Sequence, residues 1–158
     1  MSVFDEQPPI INVSSFSHWL KKNYSFFKSK NIKLSRLNSE RDINLLIKGV
    51  GTKQYVVKIS NPKESLAQLE YQDLLINHLR LNIKLRNIYP KILHKKILFY
   101  IDRNKRRCAV RVLTYIDGNM YAKSKNSDHT EKSLGKFCLL YTSPSPRDQR
   151  GSRMPSSA

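Results

Sequence analysis

The sequence predicts an α+β fold, in which one helix follows the third strand of a five-stranded antiparallel sheet. Five short runs rich in β-branched, leucine and aromatic residues are separated by polar or glycine-containing turns, which is typical of antiparallel strands. One longer segment with apolar residues at helical spacing follows the third run. The chain has 158 residues, of which 39% are hydrophobic. This is enough for one domain with a modest core.

The segment SSFSHWLKKNYSF, residues 14–26, predicts a short amphipathic helix. Its serines are of the type that caps a helix N-terminus. Its apolar residues recur at helical spacing: Phe16, Trp19, Leu20 and Tyr24. We therefore assign residues 1–27 to an N-terminal extension that precedes the main domain.

The first three strands are predicted at residues 32–37, 43–49 and 54–60. The polar turn NSERD joins the first two strands, and the segment GVGTK forms the second turn. Gly49 and Gly51 suit that second turn because glycine adopts positive φ angles without steric cost. The three strands therefore form a meander.

The helix is predicted within residues 62–80, and the last two strands follow around residues 95–102 and 108–118. Pro62 suits the first turn of a helix. One face of this helix carries its recurring apolar residues: Leu66, Leu69, Ile76 and Leu79. These apolar residues are expected to pack against the sheet.

Lys58 lies inside the third strand, where an apolar residue might be expected. Side chains alternate along a strand, so Val56 and Lys58 share one face and Val57 and Ile59 share the other. An anionic ligand on the first face would explain the lysine. The alternative is a solvated lysine whose stem packs on the strand.

The formal net charge of +17 raises the possibility of a polyanionic partner. The lysines and arginines are spread along the whole chain, however, and this dispersion disfavours nucleic acid. A nucleic-acid-binding module remains the alternative function, and it requires basic side chains to converge on one surface with aromatic residues between them.

The sequence also disfavours a membrane protein, a disulfide framework and a metal site. No segment reaches the roughly 18 apolar residues that a membrane span needs. The two cysteines and four histidines have no metal-ligand spacing. We therefore expect a cytoplasmic protein.

Four motifs occur in a fixed order: LNSERDINLLI, YVVKISNP, LEYQDLLINHL and VRVLTYIDG. Together they resemble the small lobe of the kinase-like fold, in the family of aminoglycoside phosphotransferases and choline kinases. The closest resemblance is to hydroxylysine kinase and to bacterial phosphotransferase modules that are fused to aminotransferase-like domains. The resemblance covers residues 32–137. It implies an ATP- and Mg²⁺-dependent kinase that phosphorylates a hydroxyl of an amino alcohol or hydroxy amino acid.

The resemblance implies that Lys58 holds the α and β phosphates of ATP as a point charge on a rigid strand. The turn NSERD would cover the phosphates, with Ser39 and backbone N–H groups as donors. This turn has no glycine, unlike the glycine-rich loop of protein kinases, which favours a small-molecule kinase. Asp42 and Asn44 have an alternative role, in which they hydrogen-bond the backbone of their own turn.

The resemblance also assigns residues to the helix and to the end of the fifth strand. Gln72 would orient Lys58 from the helix, and Glu70 is the alternative partner. The backbone of Leu113, Thr114, Tyr115 and Ile116 would bind the adenine edge as the hinge between lobes. The apolar walls of the adenine site would be Ile47, Val57 and Leu113.

The family's catalytic loop, H-x-D-x-x-x-x-N, does not occur in this sequence. We therefore expect the catalytic residues and magnesium ligands to lie in a large lobe beyond this chain, and the chain alone to be inactive. Residues 28–117 would be the small lobe, and residues 118–137 the hinge and first large-lobe helix. The run CLLYTSPSPRD resembles the translation of a sequencing adaptor, so residues 138–158 are expected to be a non-native, disordered tail.

Overall fold

The computed structural model describes residues 6–83, 86–94, 96–118 and 127–141, with side chains to residue 136 in the last range. The chain divides into two compact units, residues 1–117 and residues 118–158. The first unit contains the sheet and two helices. The second contains one helix and is described separately.

The elements of the first unit follow the predicted order. Its helices are α1 (Val13–Asn23) and α2 (Leu66–Leu81), with a short 3₁₀ helix at Ser25–Phe27 after α1. Its strands are β1 (Lys33–Leu37), β2 (Ile43–Val50), β3 (Lys53–Ile59), β4 (Leu98–Ile101) and β5 (Arg107–Thr114).

The five strands form one antiparallel sheet in the spatial order β1-β2-β3-β5-β4. Because α2 follows β3 and precedes β4, the chain leaves the sheet after the third strand and returns at the far edge. The predicted α+β class, the five antiparallel strands and the position of the helix are confirmed.

The hydrophobic core lies on one face of the sheet, beneath the N-terminal segment. The strands contribute Leu45, Ile47, Tyr55, Val57, Ile59, Val110 and Val112 to it. The N-terminal segment contributes Phe16, Leu20, Tyr24 and Phe27, each at most 4% exposed. Of the four apolar residues predicted to face the sheet from α2, Leu69 is buried, Ile76 and Leu79 are half-buried and Leu66 is exposed. The cluster beneath the N-terminal segment includes no described residue of α2. The extension therefore forms part of the folded unit instead of preceding it.

Both helix starts in this unit differ from the predicted ones. The side chain of Asn12 caps α1 by accepting hydrogen bonds from the backbone N–H groups of Ser14 and Ser15, so the serines do not provide the cap. Pro62 precedes α2 because Asn61 forms a turn, in which its side chain accepts from Lys63 N–H. The helix then begins after Ser65.

Asp102 and Arg106 fasten the N-terminal segment to the β4–β5 hairpin. The Asp102 carboxylate accepts hydrogen bonds from the backbone N–H of Ile10 at 3.2 Å and from the Arg106 guanidinium at 2.7 and 2.9 Å. Arg106 also donates to the Glu6 carboxylate at 2.7 Å and to the Pro8 carbonyl at 3.0 Å. This cluster positions the chain that leads into α1.

The end of β2, where the strand enters the turn to β3, requires glycine at position 49. Gly49 has φ +94°, and a side chain there would also collide with the backbone of Asn31. Gly51, at φ +62°, completes the turn. The prediction of positive φ angles at both glycines is confirmed.

The second unit contains the helix α3 (Asp128–Tyr141). It includes Ser133–Phe137, the segment SLGKF that was predicted to be helical. It also continues through Cys138–Tyr141, which corrects the predicted start of the disordered tail at residue 138. Residues 142–158, the rest of that predicted tail, lie outside the described residues. Among the described helices, none is both long and apolar enough to cross a bilayer.

Candidate functional site

A row of polar residues crosses the sheet face opposite the core. Lys58 on β3 pairs directly with Asn44 on β2 and with Arg111 on β5. The three side chains therefore lie side by side on one face. This confirms that Lys58 projects away from the face that carries Val57 and Ile59, which are both fully buried in the core.

This row forms the floor of a cavity of about 380 Å³, here called the Lys58 cavity. The β1–β2 turn and α2 supply its walls. Its described lining is Ser39, Glu40, Arg41, Asp42, Asn44, Lys58, Glu64, Leu69, Gln72 and Arg111. Three of these residues are basic and three are acidic, so the charges of the lining balance.

Arg111 is 5% exposed and is paired with α2. Its Nη1 atom lies 2.9 Å from the Asp73 carboxylate, and its Nη2 donates to Gln72 Oε1 at 3.0 Å. A buried guanidinium needs such partners because removing its charge from water is costly. Arg111 thus links β5 to α2 and holds the helix over the polar face.

Lys58 is in the opposite situation. Its side chain is half-buried, and within the residues that the structure describes it forms no ion pair and no hydrogen bond. Its neighbour across the strands, Arg111, is already matched by Asp73. Lys58 therefore presents to the cavity a cation that has no direct partner among the described residues.

The two predicted partners of Lys58 on α2 occupy different positions. Gln72 lines the Lys58 cavity, but its side-chain oxygen accepts from Arg111 instead of Lys58. Glu70 is exposed, and it is not among the described residues of the cavity lining. The expected pairing is corrected to Gln72 with Arg111, because β5 presents a guanidinium where the helix approaches the sheet.

The β1–β2 turn is tied to its surroundings by hydrogen bonds. Ser39 Oγ donates to the backbone carbonyl of Asp42 at 2.5 Å, so this hydroxyl bonds its own turn. The Asp42 side chain does not bond its own turn: its carboxylate accepts from the backbone N–H of Asn61 at 2.9 Å. The turn is thereby fixed beside the end of β3, next to Lys58.

The end of β5 differs from the predicted adenine site. The backbone N–H of Thr114 donates to the Lys91 carbonyl at 2.8 Å, and that of Tyr115 donates to the Gln54 carbonyl at 3.0 Å. These two donors are therefore engaged within the unit. Ile116 is exposed beyond them.

The apolar walls predicted for the adenine site are also corrected. Ile47 and Val57 are fully buried in the core, on the face away from Lys58. Leu113 pairs with Val56, two residues from Lys58, and therefore shares the face of Lys58. Leu46, which pairs with Val56 from β2, belongs to this face as well. Because side chains alternate, Leu46 and Val56 lie on the Lys58 face in place of the predicted Ile47 and Val57.

Three buried side-chain polar atoms have no hydrogen-bond partner among the described residues: Asn44 Oδ1 and Arg111 Nε in the polar row, and Ser60 Oγ just after β3. Buried polar groups are generally paired, so these atoms mark positions where water or a ligand would bond. Arg111 and its partner Asp73 were not predicted as site residues from the sequence. A signal was present, because arginine interrupts the buried run CAVRVL in the same way that Lys58 interrupts VVKI.

No family model, no curated protein and no solved structure matches this chain. The described residues contain no cluster of three or more His, Cys, Asp or Glu side chains able to hold a metal ion.

Proposed function

We propose that the first unit is the ATP-binding small lobe of a kinase that transfers phosphate to a hydroxyl of an amino alcohol or hydroxy amino acid. The observation that carries the proposal is the Lys58 ammonium, which has no direct partner among the described residues and lies beside a hydrogen-bonded turn. The strand order and the helix after β3 are compatible with such a lobe. The resemblance of the four sequence motifs supplies the reaction class.

The residues present suit a phosphate group. Lys58 offers a point charge on a rigid strand, and Arg111 Nε is a buried donor that lacks a partner among the described residues. The backbone of the β1–β2 turn lies next to both. When bound, Mg²⁺ would neutralise charge on the phosphates. Asn44 Oδ1 is the adjacent acceptor for water or a ligand hydroxyl.

The residues that support the proposal are those that would contact the phosphates of the nucleotide, not its adenine. The N–H groups of Thr114 and Tyr115 are engaged, so adenine recognition would fall to other atoms around Leu113 and Ile116. The Lys58 cavity also opens to water, where screening weakens a single phosphate contact. We therefore expect this chain to bind MgATP with a dissociation constant of about 1 mM, and to transfer no phosphate by itself.

An NMR titration of the ¹⁵N-labelled 158-residue chain with MgATP tests the proposal. Amides around Lys58, Asn44 and residues 38–42 should shift, and Lys58→Ala should abolish that site's response. Lys48→Ala is the matched control, because Lys48 is an exposed lysine on the neighbouring strand β2. Equal responses in both variants would contradict the proposal.

A longer form of the protein, carrying a large lobe, would test phosphoryl transfer. There Lys58→Ala should reduce turnover by orders of magnitude through lost phosphate positioning. Near-wild-type kinetics would show that Lys58 does not position the phosphates. The fusion to an aminotransferase-like domain and the identity of the acceptor stay predictions that such a form would test.

A further inference from the structure

A second cavity, of about 710 Å³, lies on the other face of the sheet. We call it the basic cleft. Tyr55 lines it and lies three residues from Lys58 on β3, so the two side chains point to opposite faces. The basic cleft is therefore separate from the Lys58 cavity and forms no part of the proposed ATP site.

Five lysines line the basic cleft, and none of its described lining residues is acidic. They come from four segments: the end of α1, the chain after the 3₁₀ helix, the start of β3 and the loop before β4. The lysines are Lys21, Lys22, Lys28, Lys53 and Lys91. None of them forms an ion pair within the described part of the chain. The convergence expected of a polyanion-binding surface is therefore present at this cleft.

Aromatic side chains lie between these lysines. Phe26 is 46% exposed and packs edge-to-face on Tyr55, with ring centroids 5.2 Å apart, so Tyr55 supports a ring that faces solvent. Burial raises the pKa of Tyr55 above its ordinary value. Tyr24 closes the floor, with its hydroxyl 3.4 Å from the Val110 carbonyl. An exposed ring among cations suits a base stacked beside its phosphates.

We propose that the basic cleft binds single-stranded nucleic acid, with one base stacked on Phe26 and the flanking phosphates contacted by the surrounding lysines. The lysines are distributed around the cleft instead of meeting at one point, which favours several phosphates of one strand over one terminal phosphate. A positively charged groove with an aromatic platform is the usual arrangement for sequence-independent strand binding. Lysine–phosphate contacts and stacking on one ring do not distinguish bases, so sequence preference should be weak.

Fluorescence anisotropy with a labelled strand of ten thymidines and the full 158-residue chain tests the proposal. The dissociation constant should be about 10 µM at 100 mM salt. Five phosphate contacts predict a loss of affinity of roughly a hundredfold between 50 and 200 mM salt. Absence of binding, or binding that ignores salt, would overturn the proposal.

Lysine variants distinguish binding at the basic cleft from binding that depends only on the total positive charge of the chain. Lys22→Ala and Lys28→Ala should each reduce the slope of log affinity against log salt by about 0.7, the value for one phosphate on a single strand. Lys33→Ala, at an exposed lysine on β1 outside the cleft, should leave the slope unchanged. Equal losses in all three variants would mean that binding follows total charge, and the cleft would be excluded.

Phe26 tests the stacking contact. Phe26→Leu keeps an apolar contact with Tyr55 but removes the aromatic face, and should weaken binding about tenfold with an unchanged salt slope. Phe26→Tyr should restore the affinity. Base-free polyphosphate should bind equally to wild type and Phe26→Leu. If the thymidine strand also binds wild type and Phe26→Leu equally, the proposal of a stacked strand is wrong. It is also wrong if AMP binds as tightly as the strand.

Lys58→Ala provides the comparison between the two sites. It should leave strand binding unchanged, since Lys58 lies on the opposite face of the sheet. If the strand instead responds to Lys58→Ala and not to Phe26→Leu, it binds at the Lys58 cavity, and the inference about the basic cleft fails independently of the ATP proposal. Circular dichroism of every variant verifies that the fold is retained.

Discussion

The two faces of the sheet handle positive charge in different ways. On the polar face, Arg111 is buried and matched by Asp73, the lining is charge-balanced, and Lys58 is the cation without a partner among the described residues. At the basic cleft, five lysines surround aromatic rings without an acidic residue in the described lining. Buried charge requires compensation, whereas exposed charge can remain unpaired at little cost to stability. The two sites should therefore respond differently to mutation.

The largest expected effect concerns the core that underlies the basic cleft. Leu20→Ala should lower the free energy of unfolding by about 3 to 4 kcal/mol, because this fully buried side chain joins α1 to the sheet. Urea denaturation measures the change. Leu74→Ala is the matched control on α2, where the leucine is 68% exposed, and should cost less than about 0.5 kcal/mol. Equal losses would mean that α2 contributes to the core as much as α1.

The strands and their alternation could be predicted because both depend on neighbouring residues. Which face of the sheet the N-terminal segment covers could not be predicted in this way. Alternation placed Val57 on the face opposite Lys58, which the structure confirms, whereas the resemblance assigned Val57 to the adenine site. Nothing in the local sequence tells which of these two faces α1 covers. Likewise, Gln72 was placed correctly at the polar cavity, but its contact with Arg111 depends on how α2 rotates over β5. Long-range packing decides both outcomes.

The next largest effect is expected from breaking the buried ion pair. Asp73→Ala leaves the Arg111 guanidinium buried without its carboxylate, and should lower the free energy of unfolding by about 2 to 3 kcal/mol. Replacing both residues, as Asp73→Leu with Arg111→Met, should restore most of this loss because no charge then remains buried. Urea denaturation of the single and double variants decides between these outcomes. A double variant as unstable as Asp73→Ala would show that the pair provides more than charge compensation.

A smaller, pH-dependent effect is expected from the cluster that fastens the N-terminal segment. Burial alone would raise the pKa of Asp102, but hydrogen bonds from Arg106 and from the Ile10 backbone outweigh it and hold the pKa below its ordinary value. The unfolded state thus binds a proton more readily than the folded state does. This contribution to stability is complete above the unfolded pKa of about 3.9 and is lost as pH falls through the folded value.

Asp102→Asn should therefore cost about 1.5 kcal/mol at pH 7, through the loss of charge-assisted hydrogen bonds. It should also flatten the decline in stability below about pH 4. Thermal unfolding of both proteins from pH 3 to pH 7 provides the measurement. Glu40→Gln, at an exposed carboxylate in the β1–β2 turn, is a control that should keep the wild-type acid profile. If Asp102→Asn loses stability below about pH 4 as steeply as wild type does, Asp102 is not the cause of that loss.

The smallest effect distinguishes a ligand-binding lysine from a structural one. Lys58 lies directly opposite Arg111, and like charges at such positions are destabilising. Asp73 offsets part of this repulsion, so Lys58→Met should raise the free energy of unfolding by about 0.5 kcal/mol while keeping the packed stem.

Adding tripolyphosphate should make wild type more stable than Lys58→Met. At tenfold its dissociation constant it should stabilise wild type by about 1.4 kcal/mol through this site, a gain that the variant lacks. Binding at the basic cleft is common to both proteins, so the difference between their unfolding curves isolates Lys58. If Lys58→Met instead lowers stability by more than about 1 kcal/mol without ligand, Lys58 holds the sheet together, and its unpaired charge no longer indicates an anion site.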